Sequence, residues 1–175
     1  MNYFELFNIP VSFDVDLSAL SLTYQQLQRL THPDKFASGS EQDKLIAIQK
    51  NAQVNDAYTT LKAPLSRAEH ILLLRGVELQ HEQQTIKDTA FLMQQMEWRE
   101  ILAELDQNSD PLDALESLED EIKQSIKSDL NKLQSLLVSE QENAVEQAAD
   151  GIRKLKFLYK MLAEIEIKEE ALNDF

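Results

Sequence analysis

The sequence predicts an almost wholly α-helical protein, on three observations. Its 175 residues contain only three glycines and four prolines, so there are few places where a helix must stop. Alternation of β-branched and polar residues, the mark of a half-buried strand, is nearly absent. Apolar residues recur instead at spacings of three and four, the period of a helix buried along one side.

Taken in order, a short first helix is expected over about Tyr3 to Phe7, closed before Ile9-Pro10 because the residue ahead of a proline is driven out of the α region. A second runs from about Leu17 to Thr31, with Leu20, Tyr24 and Leu27 on one face. Pro33 stops it, since proline lacks an N–H and its ring clashes with the preceding turn, and His32 and Asp34 are left in an exposed inter-helix loop. A third helix begins at Ser40, where Ser40 and Asp43 have capping-box spacing, and continues to about Lys62, before Pro64. Its apolar residues fall on two sides, Leu45, Ile48 and Ala52 against Ala47, Val54, Tyr58 and Leu61, which predicts neighbours on both. Another helical segment, Leu65 to Arg75, closes at Gly76, and the polar stretch to Gln84 reads as a connector. The predicted division is a domain over 1–75, a linker over 76–84 and a second domain over 85–175.

Three long amphipathic stretches follow: about Thr85 to Leu105, Leu112 to Val138 and Gln141 to Ala171, with turns at Asp110-Pro111 and Ser139-Glu140. The middle one repeats Leu115, Leu118, Ile122, Ile126, Leu133 and Leu137, and three such helices joined by short connections suggest an antiparallel bundle. On a helical wheel Phe91, Trp98, Leu102 and Leu105 fall together as a core face. Leu92, Met93 and Met96 then point away from it, and the same outer side continues with Glu97, Glu100 and Glu104. In the last helix Val145, Ala148, Ile152, Leu155, Tyr159 and Leu162 share a stripe, with Phe157 on the opposite side. Isolated exposed apolar residues are ordinary. Several that can converge between two helices suggest a docking patch, and methionine suits a surface that adapts to its partner.

Composition narrows the function. With no cysteine there are no disulfides, thiolate zinc sites, cysteine-held iron-sulfur clusters or cysteine nucleophiles, so any metallocluster would sit on a partner. Residues 1–75 hold 7 Lys+Arg and 8 Asp+Glu, while the remainder hold 10 and 23 and carry nearly all of the net −14. Much of that charge serves to keep a helical surface solvated; it also argues against nucleic acid and against anionic membranes. The N-terminus lacks a signal pattern and no long apolar run occurs, which predicts a cytoplasmic protein. His32 and Asp34 have no serine nucleophile, phosphate loop or carboxylate pair around them, and His70 and His81 have no ligand-spaced partner, so neither an enzyme nor a metal site is expected. No cofactor is called for.

The tripeptide His32-Pro33-Asp34, taken alone, has ordinary readings in which Asp34 caps a turn and His32 ends a helix. Its setting is less ordinary: a short helix, an amphipathic helix, the tripeptide with Lys35-Phe36, then a long helix, all within the first 62 residues. That arrangement resembles the J-domain, by which DnaJ-type co-chaperones engage DnaK-class ATPase chaperones. The stretches "NYFELFNIP", "HPDKFASGS", "PLSRAEHIL", "DTAFLMQQMEWRE" and "RKLKFL", spread over nearly the whole chain, are similar to the HscB family of iron-sulfur cluster assembly, in its bacterial form without a cysteine-rich zinc segment. The resemblance implies an all-α fold, an N-terminal J-domain (a helical hairpin with an HPD loop) followed by a C-terminal antiparallel three-helix bundle. It implies a co-chaperone that catalyses nothing itself, binds the cluster scaffold IscU, delivers it to the DnaK-class chaperone HscA and stimulates ATP hydrolysis there. His32, Pro33 and Asp34, with Arg29 and Lys35, would contact the ATPase; Leu92, Met93, Met96, Glu97, Glu100, Glu104 and Phe157 would contact the scaffold. One feature departs from the J-domain pattern, for the usual basic face of the second helix is reduced here to Arg29, followed by Lys35. A general J-domain co-chaperone for unfolded polypeptides, or a helical adaptor whose tripeptide is only a turn, would share most of these residues.

Overall fold

The computed structural model describes residues 1–79 and 86–174, and among them every regular element is helical. The chain divides into two compact units, Met1–Leu79 and Gln80–Phe175.

The first unit opens with α1 (Tyr3–Leu6), where Asn2 accepts from the Glu5 N–H at 2.9 Å and Glu5 accepts from the Asn2 N–H at 3.1 Å. The chain leaves α1 through Asn8 at φ 54, a left-handed conformation asparagine tolerates, and the Asn8 and Ile9 N–H groups return to the Glu5 and Phe4 carbonyls at 3.0 Å. Helix α2 (Leu17–Thr31) starts on the Asp16 carboxylate, which takes the Ser18 and Ala19 N–H groups. Helix α3 (Glu41–Lys62) carries the expected Ser40/Asp43 capping box. Helix α4 (Pro64–Leu74) begins on a proline, which needs no N–H partner there, and ends at Gly76, whose φ of 87 lets Gly76 and Val77 return hydrogen bonds to Leu73 and Leu72.

Phe4, Leu20, Val54, Leu61, Ile71 and Leu72 are the centre of this unit's core. The α2–α3 hairpin is held on one flank by Tyr24 and Tyr58, which the periodicity places, and by three amides, Gln28, Asn51 and Asn55, which it does not. The Tyr24 hydroxyl donates to Asn55 Oδ1 at 2.7 Å and its ring stacks on Tyr58 at 4.0 Å; Gln28 donates to Tyr24 at 2.9 Å, and Asn51 donates to Gln28 at 3.1 Å. Neighbours on both sides of α3 do not materialise: Ala47, Val54 and Leu61 are buried, but Leu45 and Ile48 are 55% and 53% exposed. Helices α1, α2 and α4 all pack on α3, and its side with Leu45 and Ile48 is left to solvent.

In the second unit α5 (Thr89–Ala103) begins later than the expected Thr85, because the Asp88 side chain accepts from the Phe91 N–H at 3.1 Å and fixes the start there. Thr85 and the 80–84 part of the expected linker lie outside the described residues. A 3-10 turn (Leu105–Gln107) leads to α6 (Pro111–Val138), whose predicted stripe Leu115, Leu118, Ile122, Ile126, Leu133 and Leu137 is buried throughout. Helix α7 (Ala144–Asn173) starts three residues after the expected Gln141. It runs back antiparallel to α6, burying Ala148, Ile152, Leu155, Leu158, Met161 and Ile165. Of the expected stripe, Ala148, Ile152 and Leu155 are buried, while Val145 at its start and Tyr159 and Leu162 at its end are only half-buried. Over the second half of α7 the buried line instead runs through Leu158, Met161 and Ile165.

Candidate functional site

Two groups of residues face solvent in a way the cores do not require, one in each unit. In the first unit, α2 ends at Thr31 and the chain passes into a 3-10 turn over Pro33–Phe36. Proline sets that turn's first φ, and His32, in extended conformation, caps it: its Nδ1 accepts the Asp34 N–H at 3.2 Å. Accepting at Nδ1 leaves the proton of a neutral ring on Nε2, a donor on a side chain that is 52% exposed. Asp34 Oδ2 lies 3.5 Å from the same nitrogen. The cap is thus His32 rather than Asp34, and the Asp34 carboxylate is almost fully exposed. The turn is a short 3-10 element closed by its own backbone, with the Lys35 N–H donating to the His32 carbonyl and the Ala37 N–H to the Asp34 carbonyl. Arg29, His32 and Lys35 surround one shallow, open, mostly apolar depression of about 310 Å³ with Gln28. The five residues expected at this contact are therefore brought together, with both cations beside the tripeptide.

The turn is braced from behind. Thr31 Oγ1 donates to the Leu27 carbonyl at 2.8 Å and accepts from Asn51 at 3.2 Å, so the last turn of α2 is tied to α3. Further back, Arg67 is buried, donates to the Leu61 carbonyl at 2.8 Å and sits 5.0 Å over the Phe13 ring. Burial lowers its pKa, partly offset by Asp14. Only "PLSRAEHIL" as a stretch drew attention to Arg67; nothing in its spacing signals a buried arginine.

In the second unit Trp98, Leu102 and Leu105 are buried as expected, and the opposite face of α5 presents Leu92, Met93 and Met96 at 36%, 60% and 72% exposure. Glu97, Glu100 and Glu104 continue that face, all exposed. Phe91 is not a full core residue: it is half-buried and meets Phe157 edge-on at 5.8 Å. Phe157 is therefore not free on the far side of α7 but half-buried at the α5–α7 seam, between Phe91 and Arg99 of α5. Arg99 lies 5.6 Å over the Phe157 ring and forks onto Glu164 at 2.6 and 3.3 Å, while Lys154 holds the capping Asp88 at 2.5 Å. These pairs lower the pKa of Glu164 and Asp88, each chiefly through its hydrogen bond to the cation. Leu92, Met93 and Met96 thus form an apolar head, the three glutamates an acidic tail, and Phe157 a fixed aromatic on the neighbouring helix.

His70 stacks on Tyr3 at 4.7 Å and its Nε2 accepts the Tyr3 N–H at 3.4 Å, so it is a packing residue; His81 lies outside the described residues. Among the described residues no group of His, Asp and Glu could hold a metal, and no helix is long and apolar enough to cross a membrane.

Comparison with known proteins agrees with both units. Residues 87–166 match the family model described as the HSCB C-terminal oligomerisation domain. A co-chaperone protein HscB homolog of Pseudoalteromonas atlantica is 65% identical over 175 residues, all of both chains, and one from Shewanella amazonensis is 53% identical over 174 residues, 99% of this chain and 100% of that one. Among solved structures, the chaperone HscB from Vibrio cholerae has a TM-score of 0.86 at 44% identity, covering 98% of this chain and 99% of that one. The human co-chaperone protein HscB has the same TM-score of 0.86 at 33% identity, covering 97% of this chain and 82% of that one.

Proposed function

The chain belongs to the HscB family of co-chaperones, and from that premise we propose that it brings the iron-sulfur scaffold IscU to the DnaK-class chaperone HscA and stimulates ATP hydrolysis by that chaperone. The J-domain acts on the ATPase through His32, Pro33 and Asp34, with Arg29 and Lys35 beside them. The three-helix domain holds the scaffold with Leu92, Met93, Met96 and Phe157, and Glu97, Glu100 and Glu104 extend the contact. The division of labour follows 1–75 and 85–175, joined by 76–84. The chain breaks no covalent bond of its own, and the work is done in the cytoplasm.

The observation that carries this reading is the coexistence of two solvent-facing recognition elements in separate compact units: a capped His-Pro-Asp turn in one, an apolar-headed acidic strip in the other. A turn already closed by its own hydrogen bonds loses little conformational entropy on docking, so its exposed donor and acceptor groups can act on a partner at small ordering cost. The strip gains by burying large side chains that have no place in its own core. Coupling arises because one chain holds both partners at once, which raises their effective concentration.

A single assay of ATP turnover tests the proposal. Stimulation of HscA by this chain should rise further when IscU is added, and should not rise with an unfolded polypeptide of random sequence. Equal synergy with both would favour a general J-domain co-chaperone; no stimulation of any DnaK-class ATPase would leave an adaptor.

A further inference from the structure

The last two turns of α7 are attached differently from the rest of that helix. Ile165 is the last α7 side chain to be fully buried; beyond it, among the described residues, only Glu169 and Leu172 are even half-buried. Glu169 turns toward Glu119 on α6, within hydrogen-bonding reach of it, and its Oε1 is shut off from solvent. Glu119 in turn holds the Lys123 ammonium one helical turn along. The charged groups facing Glu169 are Glu119, Glu116 and Lys123, all on α6; Lys123 is also within reach of Asp120 on α6 and Glu166 on α7.

Two carboxyl groups can hydrogen-bond to each other only when one of them carries a proton, since ionised carboxylates accept and do not donate. We propose that Glu119 and Glu169 share a single proton that latches the last two turns of α7 onto α6, and that removing it frees that end of the helix. The ion pair decides where the proton rests. Lys123 holds Glu119 below the usual carboxylate range, so Glu169 is the protonated member, its O–H donating to Glu119. The hydrogen bond to Glu119, then burial, pushes Glu169 up to about 7. The sign follows from linkage: a carboxyl raised in the folded state adds stability that is complete below its ordinary value of 4.5, declines as pH rises toward 7 and is gone above it. Above that point two carboxylates face each other across the helix seam, and only Lys123 offsets their repulsion. The cluster therefore turns a small change near neutrality into a change in how much of α7 is fastened.

The full chain provides the test. Carboxyl-carbon NMR titration should give Glu169 a midpoint of about 7. Amide hydrogen exchange over 166–173, corrected for intrinsic rates, should lose protection by up to roughly tenfold per pH unit between 4.5 and that midpoint, and level off above it. Glu169→Gln keeps a donor to Glu119 without a titrating proton, so its protection over the same residues should stay constant. Glu170→Gln removes the same charge from an exposed neighbour and should behave as the wild type. A Glu169 midpoint in the ordinary carboxylate range, or wild type and Glu169→Gln losing protection in parallel, overturns the latch.

Discussion

His32 closes its own turn with one ring nitrogen and leaves the other for a partner, and this division makes a sharp prediction possible. Glutamine has an acceptor that can replace the cap at Asp34, but it does not present the imidazole Nε2–H in the same place. His32→Gln should therefore abolish stimulation of the ATPase in a turnover assay while leaving helicity and scaffold binding unchanged, because changes at exposed positions rarely unfold a domain. His70, by contrast, is structural, and its signature is in stability. Burial lowers its pKa, so the unfolded chain binds the extra proton first, and stability should fall as pH drops below 6.5. His70→Phe keeps the stack on Tyr3 and should flatten that slope in urea titrations at pH values on either side of 6.5. The three polar residues that brace the hairpin, Gln28, Asn51 and Asn55, were not legible beforehand. A period of 3.6 marks which positions face inward only when they are apolar, and a partly buried amide looks like a surface one in a sequence.

At the scale of helices, legibility tracked start and stop chemistry. The Ser40/Asp43 capping box announces α3 and the Asp110-Pro111 turn precedes α6, and the expected starts of α2, α3 and α6 agree to within a residue, with Asp16 and Asp110 found as caps only in the structure. The start of α5 was misjudged because Asp88 caps it from within what read as a continuous periodic run. Phe157 was misplaced for a different reason: what it touches, Phe91 and Arg99, belongs to another helix, which a wheel drawn for one helix cannot contain. The outer face of α5 survived this error, since its Leu92, Met93 and Met96 are exposed. Replacing Leu92, Met93, Met96 and Phe157 together by alanine should weaken scaffold binding by orders of magnitude, as each large side chain buried at a partner is worth about 1.5–3 kcal/mol and a few anchors dominate an interface. The three α5 members should leave the thermal melt nearly unchanged. Phe157→Ala alone should lower it modestly, because its ring already packs on Phe91 and Arg99. Unaltered binding by the quadruple variant in a calorimetric titration would remove the patch from the interface. Glu97, Glu100 and Glu104 should matter less and mainly at low salt, since exposed charges are screened.

For the molecule as a whole, the uneven charge and the two sets of core residues lead to the same experiment. Each unit has its own stripes and its own buried centre, Phe4, Leu20 and Leu61 in one, Trp98, Ile122 and Leu155 in the other. A unit with a complete core folds alone. The dividing point matters, however. Leu79 is buried and falls within the first unit, and the Val77 N–H closes α4 on the Leu72 carbonyl, so a fragment ending at residue 75 discards both. Residues 1–79 should accordingly be more stable in urea than residues 1–75, by about 1–3 kcal/mol for the lost burial and helix closure. The longer fragment should stimulate the ATPase weakly and show no synergy with the scaffold, because nothing in it holds both partners together. Residues 80–175 should bind the scaffold with the affinity of the full chain and stimulate nothing, and that binding should weaken with salt in proportion to the acidic charge concentrated there. Mixing the two fragments should not restore synergy, since linkage supplies effective concentration and mixing does not. Restoration by simple mixing would mean that the units associate through contacts of their own, and the coupling would then have to be sought in that association instead of in the chain that joins them.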